Sequence, residues 1–140
     1  MWYNINNDRK NYWIGGGGLK ISEVPGFAEE TDYIFSINTF LDEFYHAEHS
    51  ERAGLLADEP EKGILDERQY CSLAAAAHKL ANDYNLPVPA WAMQDKYKMP
   101  YPVYAFNTKY EDYQELLREV TPDEYKARNL YFGSKILTRV

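Results

Sequence analysis

Two histidines in the segment EFYHAEHSE are the residues whose types and spacing come closest to a metal site. His46 and His49 stand three positions apart, so a helix would place them on one face, with Glu43 and Glu48 nearby. A third ligand would have to come from another segment, because the chain has neither an H-E-x-x-H motif nor a pair of cysteines. Histidines at the end of an acidic helix are typical of the surface, where they favour the negative end of the helix dipole. We therefore predict no metal and no other cofactor, with His46 and His49 as the candidate ligands should a metal bind.

A cysteine and a histidine within one predicted helix are the residues to consider for nucleophilic catalysis. Cys71 and His78 are seven positions apart, which places them about 10 Å apart along a helix. A thiolate–imidazolium pair requires hydrogen-bond contact, so Cys71 is expected to fill core space instead. Adjacent carboxylates such as Asp66 and Glu67 are frequent, but an acidic chain contains such pairs through its composition alone. We predict no catalytic residues and no enzymatic activity.

Four consecutive glycines at residues 15–18 raise the question of a phosphate-binding loop. A P-loop has a lysine directly after its last glycine and a serine or threonine after that lysine, whereas here Leu19, Lys20 and Ile21 follow. A dinucleotide-binding fingerprint needs a helix to open at the glycines, and LKISEVPG lacks a helical pattern. The run therefore predicts a flexible or tightly turned connector, for which glycine is suited because it reaches positive φ readily.

Charge is distributed unevenly along the chain. The net charge is −7, and residues 31–70 alone carry about −7, whereas residues 71–140 carry about +1. Phosphate backbones repel an acidic surface, so we predict no nucleic-acid partner and disfavour a DNA-binding regulator. The sequence shows neither the apolar run of a membrane helix nor a signal peptide, and its single cysteine excludes an intrachain disulfide. These features predict a cytoplasmic protein with no membrane partner.

Hydrophobic periodicity predicts a mainly α fold, a compact and irregular multi-helix domain. Apolar residues recur every three or four positions in several segments, which predict helices near 31–47, 66–84, 110–119 and 122–130. Thr31 and Thr121 are the predicted N-caps of the first and last of these helices. A further short helix is expected from Ser50 to Leu56.

The first thirty residues differ in pattern from the rest. Residues 1–30 are predicted to form a small aromatic β-hairpin and a glycine-rich loop that continues to Pro25 and Gly26, as part of the same domain or as an arm. Residues 31–140 are predicted to form the helical domain. Its expected buried residues are Phe40, Leu41, Phe44, Leu73, Leu80, Trp91, Leu116 and Leu117.

Two features near the end of the chain have structural interpretations. Trp91 follows the helix-ending sequence NLPVP and is expected to fill the core where the chain reverses, with an anchor of a protein interface as the alternative. Arg128 and Asn129 are expected to tie the last helix to a neighbouring loop by donating hydrogen bonds to carbonyls.

Several short stretches share their order and spacing with a family of bacterial proteins. They are FLDEFY (40–45), LLADEP (55–60), LPVPAW (86–91), MPYP (99–102) and TPDEYKARNLYFGSKILTR (121–139). Over about residues 40–140 the chain resembles a helical domain that often follows a helix-turn-helix domain in bacterial proteins assigned as antitoxins or regulators. The resemblance implies a protein-binding helical module, the neutralising half of a toxin–antitoxin pair, and supplies no catalytic residues. The chain departs from the family at residues 1–30, which lack a helix-turn-helix pattern.

These observations favour a non-enzymatic protein–protein interaction module, antitoxin-like, that neutralises or regulates a partner protein by occlusion. The expected partner is a toxin encoded by an adjacent gene. The N-terminal arm packs either on the chain's own helices or on a second copy in a homodimer. The alternative function is a small ligand-binding protein or enzyme with a tyrosine-lined pocket. The predicted partner-binding residues are large rings and carboxylates, namely Trp2, Tyr3, Tyr12, Trp13, Asp42, Glu43, Asp58 and Glu59.

Overall fold

The computed structural model describes residues 18–138, which fall into two compact units, residues 18–65 and 66–138. The predicted mainly α fold is confirmed. The helices are α1 (Val24–Glu30), α2 (Tyr33–His46), α3 (His49–Leu56), α4 (Glu67–Asp83), α5 (Glu111–Val120) and α6 (Asp123–Lys126). Short 3-10 turns occur at Ile21–Glu23, Ala90–Met93, Asp95–Tyr97 and Ala105–Asn107. The predicted hairpin, with Trp2, Tyr3, Tyr12 and Trp13, lies outside the described residues.

The loop predicted to continue to Pro25 and Gly26 is helical instead. A 3-10 turn at Ile21–Glu23 leads directly into α1, whose first turn contains Pro25. Proline is favoured there because the first N–H groups of a helix have no partner within it and proline's φ is already helical. Val24 and Phe27 are fully buried. The prediction was wrong because Pro25 starts a helix here, although a proline–glycine pair is more typical of a turn.

The N-cap of α2 is Asp32, not the predicted Thr31. The Phe35 N–H donates to Asp32 Oδ1 at 2.7 Å, which satisfies one of the free donors of the first turn. Thr31 ends α1 instead, and its hydroxyl donates to the Phe27 carbonyl at 2.8 Å. The three residues of α2 that were predicted to be buried are confirmed, whereas Ile34, at the start of the same predicted apolar face, is 65% exposed. The buried apolar residues of α2 are Phe40, Leu41 and Phe44.

Helix α4 has well-defined ends, and both agree with the sequence prediction. At its start, Asp66 and Gln69 form a reciprocal capping box, with Gln69 N–H donating to Asp66 Oδ1 at 2.8 Å. At its end, Asn85 adopts a left-handed conformation with φ of 58°, and the Leu86 N–H donates to the Ala81 carbonyl at 2.8 Å. The buried residues of α4 are Cys71, Leu73, Ala74, Ala75, Ala76, Ala77, Leu80 and Ala81.

The second unit has a core of its own, and a short parallel sheet contributes to it. β1 (Val103–Tyr104) pairs with β2 (Leu130–Tyr131). The pairing joins the aperiodic stretch after residue 98 to the segment that follows α6, so both segments cover one face of α4. The core cluster contains Cys71, Ala75, Met99, Val103, Tyr125 and Leu130.

Helix α5 buries less of its apolar face than the spacing predicted. Leu117 is buried, at 3% exposure, but Leu116 is 48% exposed and Val120 is 40% exposed. The prediction that Leu116 belongs to the core was therefore wrong. Spacing identifies the apolar side of a helix, but how much of that side is covered depends on the neighbouring elements.

The last helix is also shorter than predicted. α6 begins after Pro122 and ends at Lys126, well before residue 130. Thr121 does not cap it, because its hydroxyl oxygen accepts a hydrogen bond from the Gly133 N–H at 2.9 Å. Asn129 has a φ of 63°, a left-handed conformation that ends helical progression, and the chain then enters β2.

None of the helices in the described part of the chain combines the length and apolarity needed to cross a lipid bilayer.

Candidate functional site

An open groove of about 590 Å³ lies within the second unit. It is bounded by the start of α4, by the stretch from Met99 to Lys109, and by one side chain of α5. Met99 and Val103, which are 5% and 6% exposed, also belong to the core cluster, so the groove floor is anchored to the core. The residues that line it are Asp66, Glu67, Arg68, Met99, Tyr101, Pro102, Val103, Tyr104, Asn107, Thr108, Lys109 and Gln114.

The groove floor is held by the segment that follows α6. The Met99 N–H donates to the Arg128 carbonyl at 3.1 Å, and the Val103 N–H donates to the Asn129 carbonyl at 2.8 Å. The Asn129 side-chain amide donates in turn to the Met99 carbonyl at 2.7 Å. This last bond confirms the predicted role of Asn129, and together the three bonds fix the backbone of the floor.

Tyr104, which lines the groove, stacks on Tyr131 behind it. The ring centroids of Tyr104 and Tyr131 lie 5.2 Å apart, and the two ring planes are inclined by 25°. Arg118 of α5 donates to the Tyr104 hydroxyl at 2.8 Å and also lies over that ring. These contacts hold the Tyr104 ring in one orientation beside the groove.

The segment that contributes Asn107 and Thr108 to the groove has an unusual backbone conformation. Phe106 and Asn107 both have positive φ, at 57° and 51°. Asparagine tolerates the left-handed region, whereas a bulky residue such as phenylalanine pays about 1–2 kcal/mol to occupy it. Thr108 follows and fixes the turn, because its carbonyl accepts a hydrogen bond from the Gln114 side chain at 2.9 Å. The chain therefore holds Phe106 in a strained conformation.

Three aromatic side chains between residues 101 and 110 are exposed, and we call them the aromatic margin; of the three, Tyr101 lines the groove. Phe106 is 91% exposed, Tyr110 is 79% exposed and Tyr101 is 60% exposed. Strained residues cluster at functional sites, because only a functional or structural demand maintains an unfavourable backbone state. The strained backbone of Phe106 does not bury its ring, so packing does not account for the strain. We therefore identify this groove and its aromatic margin as the candidate functional site.

The charged residues around the groove have both signs. Glu67 and Arg68 lie at the start of α4, and Lys109 precedes α5. None of the three forms an ion pair within residues 18–138. Their side chains are exposed and available to a ligand.

A second, smaller cavity of about 110 Å³ lies beside Arg128 and His78. Arg128 is only 5% exposed, and its two terminal nitrogens donate to the carbonyls of Ala92 and Glu124, each at 2.7 Å. Arg128 also contacts His78 Nδ1 at 3.1 Å and the sulfur of Met93 at 3.6 Å. The bonds to the carbonyls confirm the predicted structural role of Arg128, so this cavity is a by-product of a structural network.

Burial changes the acid–base properties of two groups near Arg128. Burial lowers the pKa of His78, and the adjacent positive charge of Arg128 lowers it further. Burial also raises the pKa of the Cys71 thiol to about 11. A thiol with so high a pKa is a poor nucleophile at neutral pH, and full burial of Cys71 fits the predicted role in the core.

The carboxylates predicted to bind a partner lie in the first unit. Asp42 and Glu43 are half-buried in α2, whereas Asp58 and Glu59 are exposed after α3. Burial raises the pKa of Glu43, and a Cβ added at Gly18, which has a φ of +76°, would lie 2.6 Å from Glu43 Oε1. Gly18 is therefore favoured for its positive φ, whereas the contact with Glu43 involves the flexible end of a side chain that can shift.

The candidate metal ligands are exposed, and one of them is already engaged. His46 Nδ1 lies 2.8 Å from the Asp42 carbonyl, so this nitrogen donates to the last turn of α2. His49 begins α3. Among residues 18–138, no group of three or more histidine, cysteine or carboxylate side chains is arranged to hold a metal ion.

Comparisons of the chain with protein-family models, with characterised proteins and with solved structures find no significant match.

Sequence reasoning missed the groove because its lining comes from three separate parts of the second unit. The stretch KMPYPVYAFNT is aperiodic, and its contact with the segment after α6 depends on long-range pairing. A local signal did exist: four aromatic residues within Tyr101–Tyr110, a stretch that begins between Pro100 and Pro102, are typical of an exposed aromatic surface.

Proposed function

We propose that this protein is a non-enzymatic protein-binding module, antitoxin-like in its action, that neutralises or regulates a partner protein by covering part of the partner's surface. The observation that carries the proposal is Phe106, which is strained in its backbone and almost fully exposed in its ring. Exposed aromatic residues are frequent energetic anchors of protein interfaces. Tyr101 and Tyr110 extend this surface, and the neighbouring charges supply a polar rim.

The test is a substitution that removes the ring without harming the fold. Phe106→Asn should raise the free energy of unfolding by about 0.5–1 kcal/mol, because asparagine adopts the left-handed region more readily and almost no packing is lost. The same substitution should weaken partner binding by at least tenfold, which corresponds to about 1.4 kcal/mol for a lost interface anchor. Urea unfolding measures the first effect and isothermal titration calorimetry the second.

The partner for this experiment is the protein encoded by the adjacent gene, co-expressed and co-purified with the intact chain. Ile64→Asn is the matched control, because Ile64 is 66% exposed and lies in the other unit. The proposed role of the aromatic margin would be contradicted if Phe106→Asn and Ile64→Asn weakened partner binding equally. It would also be contradicted if neither variant weakened partner binding. Phe106→Tyr should retain binding because it keeps the ring.

A second candidate function is the binding of a small ligand in the groove. The observation that favours it is the concave site of about 590 Å³ in which Tyr104 is fixed by Tyr131 and Arg118. Small-molecule sites combine apolar walls with a few placed polar groups, and here Asn107 and Gln114 are such groups. The groove is open, however, and an extended surface suits a protein segment better. Tyr101→Ala would reduce ligand-induced thermal stabilisation if a small ligand is the natural occupant.

A further inference from the structure

The outer face of α5 has an exposed apolar pair beside a row of carboxylates. Leu116 and Val120 are 48% and 40% exposed and are four positions apart, so they lie together on the helix surface. The same helix has four exposed carboxylates and a single base, Arg118, which donates to Tyr104. The carboxylates are Glu111, Asp112, Glu115 and Glu119.

Only the start of the helix favours this arrangement of charges, because Glu111 and Asp112 lie in the first turn, where the helix dipole stabilises carboxylates. Glu111, Glu115 and Glu119 follow each other at four-residue spacing, and like charges at that spacing repel. Glu119 also lies in the last turn, where the helix dipole disfavours a negative charge. Glu115 interacts favourably with the positive charge of Arg118, whereas Glu111 and Glu119 form no ion pair within the described residues. Glu119, three positions after Leu116 and next to Val120, is therefore the carboxylate that the helix itself does not stabilise, and a bound basic segment would do so.

We propose that the Leu116–Val120 face of α5 binds a basic amphipathic helix of the partner protein. This inference rests on the proposed protein-binding function and adds the chemistry of the partner. The apolar pair receives the partner's apolar side chains, and the adjacent carboxylates attract its lysines and arginines. Charge complementarity of this kind also accelerates encounter between the two proteins.

Electrostatic repulsion disfavours other occupants of the Leu116–Val120 face of α5. In a twofold contact between two copies, the carboxylate row of one α5 would meet the same row of the other, and like charges would repel. Nucleic acids and anionic lipid surfaces are repelled for the same reason. A basic protein segment is the occupant that the exposed carboxylates favour.

The test uses a fluorescein-labelled peptide of about 18 residues, built from leucine and lysine so that its helix has one apolar and one basic face. Fluorescence anisotropy at about 50 mM salt measures its affinity for the intact protein. The triple variant Glu111→Gln, Glu115→Gln, Glu119→Gln should weaken binding by roughly tenfold, because three complementary rim charges are lost. Leu116→Gln should weaken it by a similar factor, because the apolar contact is lost.

The matched control removes three charges elsewhere, with Glu29→Gln, Glu48→Gln and Glu51→Gln at exposed positions of the first unit. This control should change the affinity by less than about twofold, and a peptide of the same composition without an apolar face should bind weakly. Equal weakening by the two triple variants, no weakening by the α5 variant, or equal affinity for the two peptides would overturn the inference.

One further variant separates this inference from the proposed function. Phe106→Asn lies outside α5 and should leave peptide affinity unchanged. If Phe106→Asn still binds the natural partner while the α5 triple variant no longer binds the peptide, the proposed role of the aromatic margin is wrong and the α5 inference is supported. If Phe106→Asn loses the natural partner while the α5 variant keeps the peptide, the proposed function stands and the α5 inference is overturned.

Discussion

At the scale of single residues, Arg128 has the clearest structural consequence in the second unit. Its four contacts join the end of α6 to Ala92 and Met93 and to His78 of α4. The planar guanidinium suits this task because it directs several donors at fixed angles, whereas a lysine ammonium reaches fewer acceptors from one point. Arg128 thereby also holds the segment that supports the groove floor.

Arg128→Lys is therefore expected to destabilise the protein even though charge is kept. Carbonyls that now accept from Arg128 would lose their donors while remaining buried, at a cost of about 2–3 kcal/mol. Urea unfolding followed by circular dichroism measures this cost. Lys135→Gln, at an exposed base of the same unit, is the control and should change stability by less than about 0.5 kcal/mol. Equal stability of Arg128→Lys and the native protein would refute the structural role.

His78 gives stability a defined dependence on pH. Arginine only donates, so His78 Nδ1 is the acceptor and the ring is neutral. Burial and Arg128 lower the pKa of His78, and the nearby Glu124 carboxylate opposes them without reversing the shift. As the pH falls, His78 therefore becomes protonated near pH 6.5 in the unfolded chain and only at a lower pH in the folded chain. The contribution of His78 to the free energy of unfolding is fully present above pH 6.5 and is lost as the pH falls through the pKa of His78 in the folded protein.

The measurement is the free energy of unfolding between about pH 5 and 8, compared between the native protein and His78→Asn. Asparagine presents an amide oxygen near the position of Nδ1 but does not titrate. The native protein should lose stability relative to the variant as the pH falls below 6.5. Parallel curves across this range would show that His78 makes no such contribution.

At the scale of elements, the helices that the sequence predicted best are those that bury a continuous apolar face. α2 and α4 follow this rule, since burial of Phe40, Phe44, Leu73 and Leu80 agrees with their spacing. α1 was missed because its start depends on Pro25 at a helix N-terminus. The groove margin at Ala105–Asn107 was missed because a left-handed phenylalanine has no local sequence signal. The conformation is one that phenylalanine itself disfavours, and the nearby Thr108 is held by a hydrogen bond from Gln114 of α5.

The start of α2 offers a direct test of local capping. Asp32→Ala should cost about 1 kcal/mol, because it removes the acceptor of the Phe35 N–H. Thr31→Ala should cost less than about 0.5 kcal/mol, because Thr31 is exposed. The Phe27 carbonyl would lose the Thr31 hydroxyl as a donor but would still accept a hydrogen bond from the Thr31 N–H. Thermal unfolding of both variants compares the two costs. A larger cost for Thr31→Ala would favour the cap that the sequence alone predicted.

At the scale of the whole molecule, the two units differ in what they can contribute to binding. The first unit contains most of the excess acid, whereas the second combines nearly balanced charge with the exposed aromatic margin. Every residue that lines the groove belongs to the second unit. The core cluster that supports the floor belongs to it as well.

Residues 66–138 are therefore expected to fold as an isolated fragment and to keep the groove. The fragment contains the capping box of α4, the contacts of Arg128 and the β1–β2 pairing, so each contact that fixes the groove floor is internal to it. A domain of this size is only marginally stable, so the expected free energy of unfolding is about 3–5 kcal/mol. A cooperative urea transition and near-ultraviolet circular dichroism from the stacked tyrosines would identify the folded fragment. A gradual, non-cooperative transition would show that the second unit requires the rest of the chain, because its own core cannot offset the entropy of ordering the groove segment.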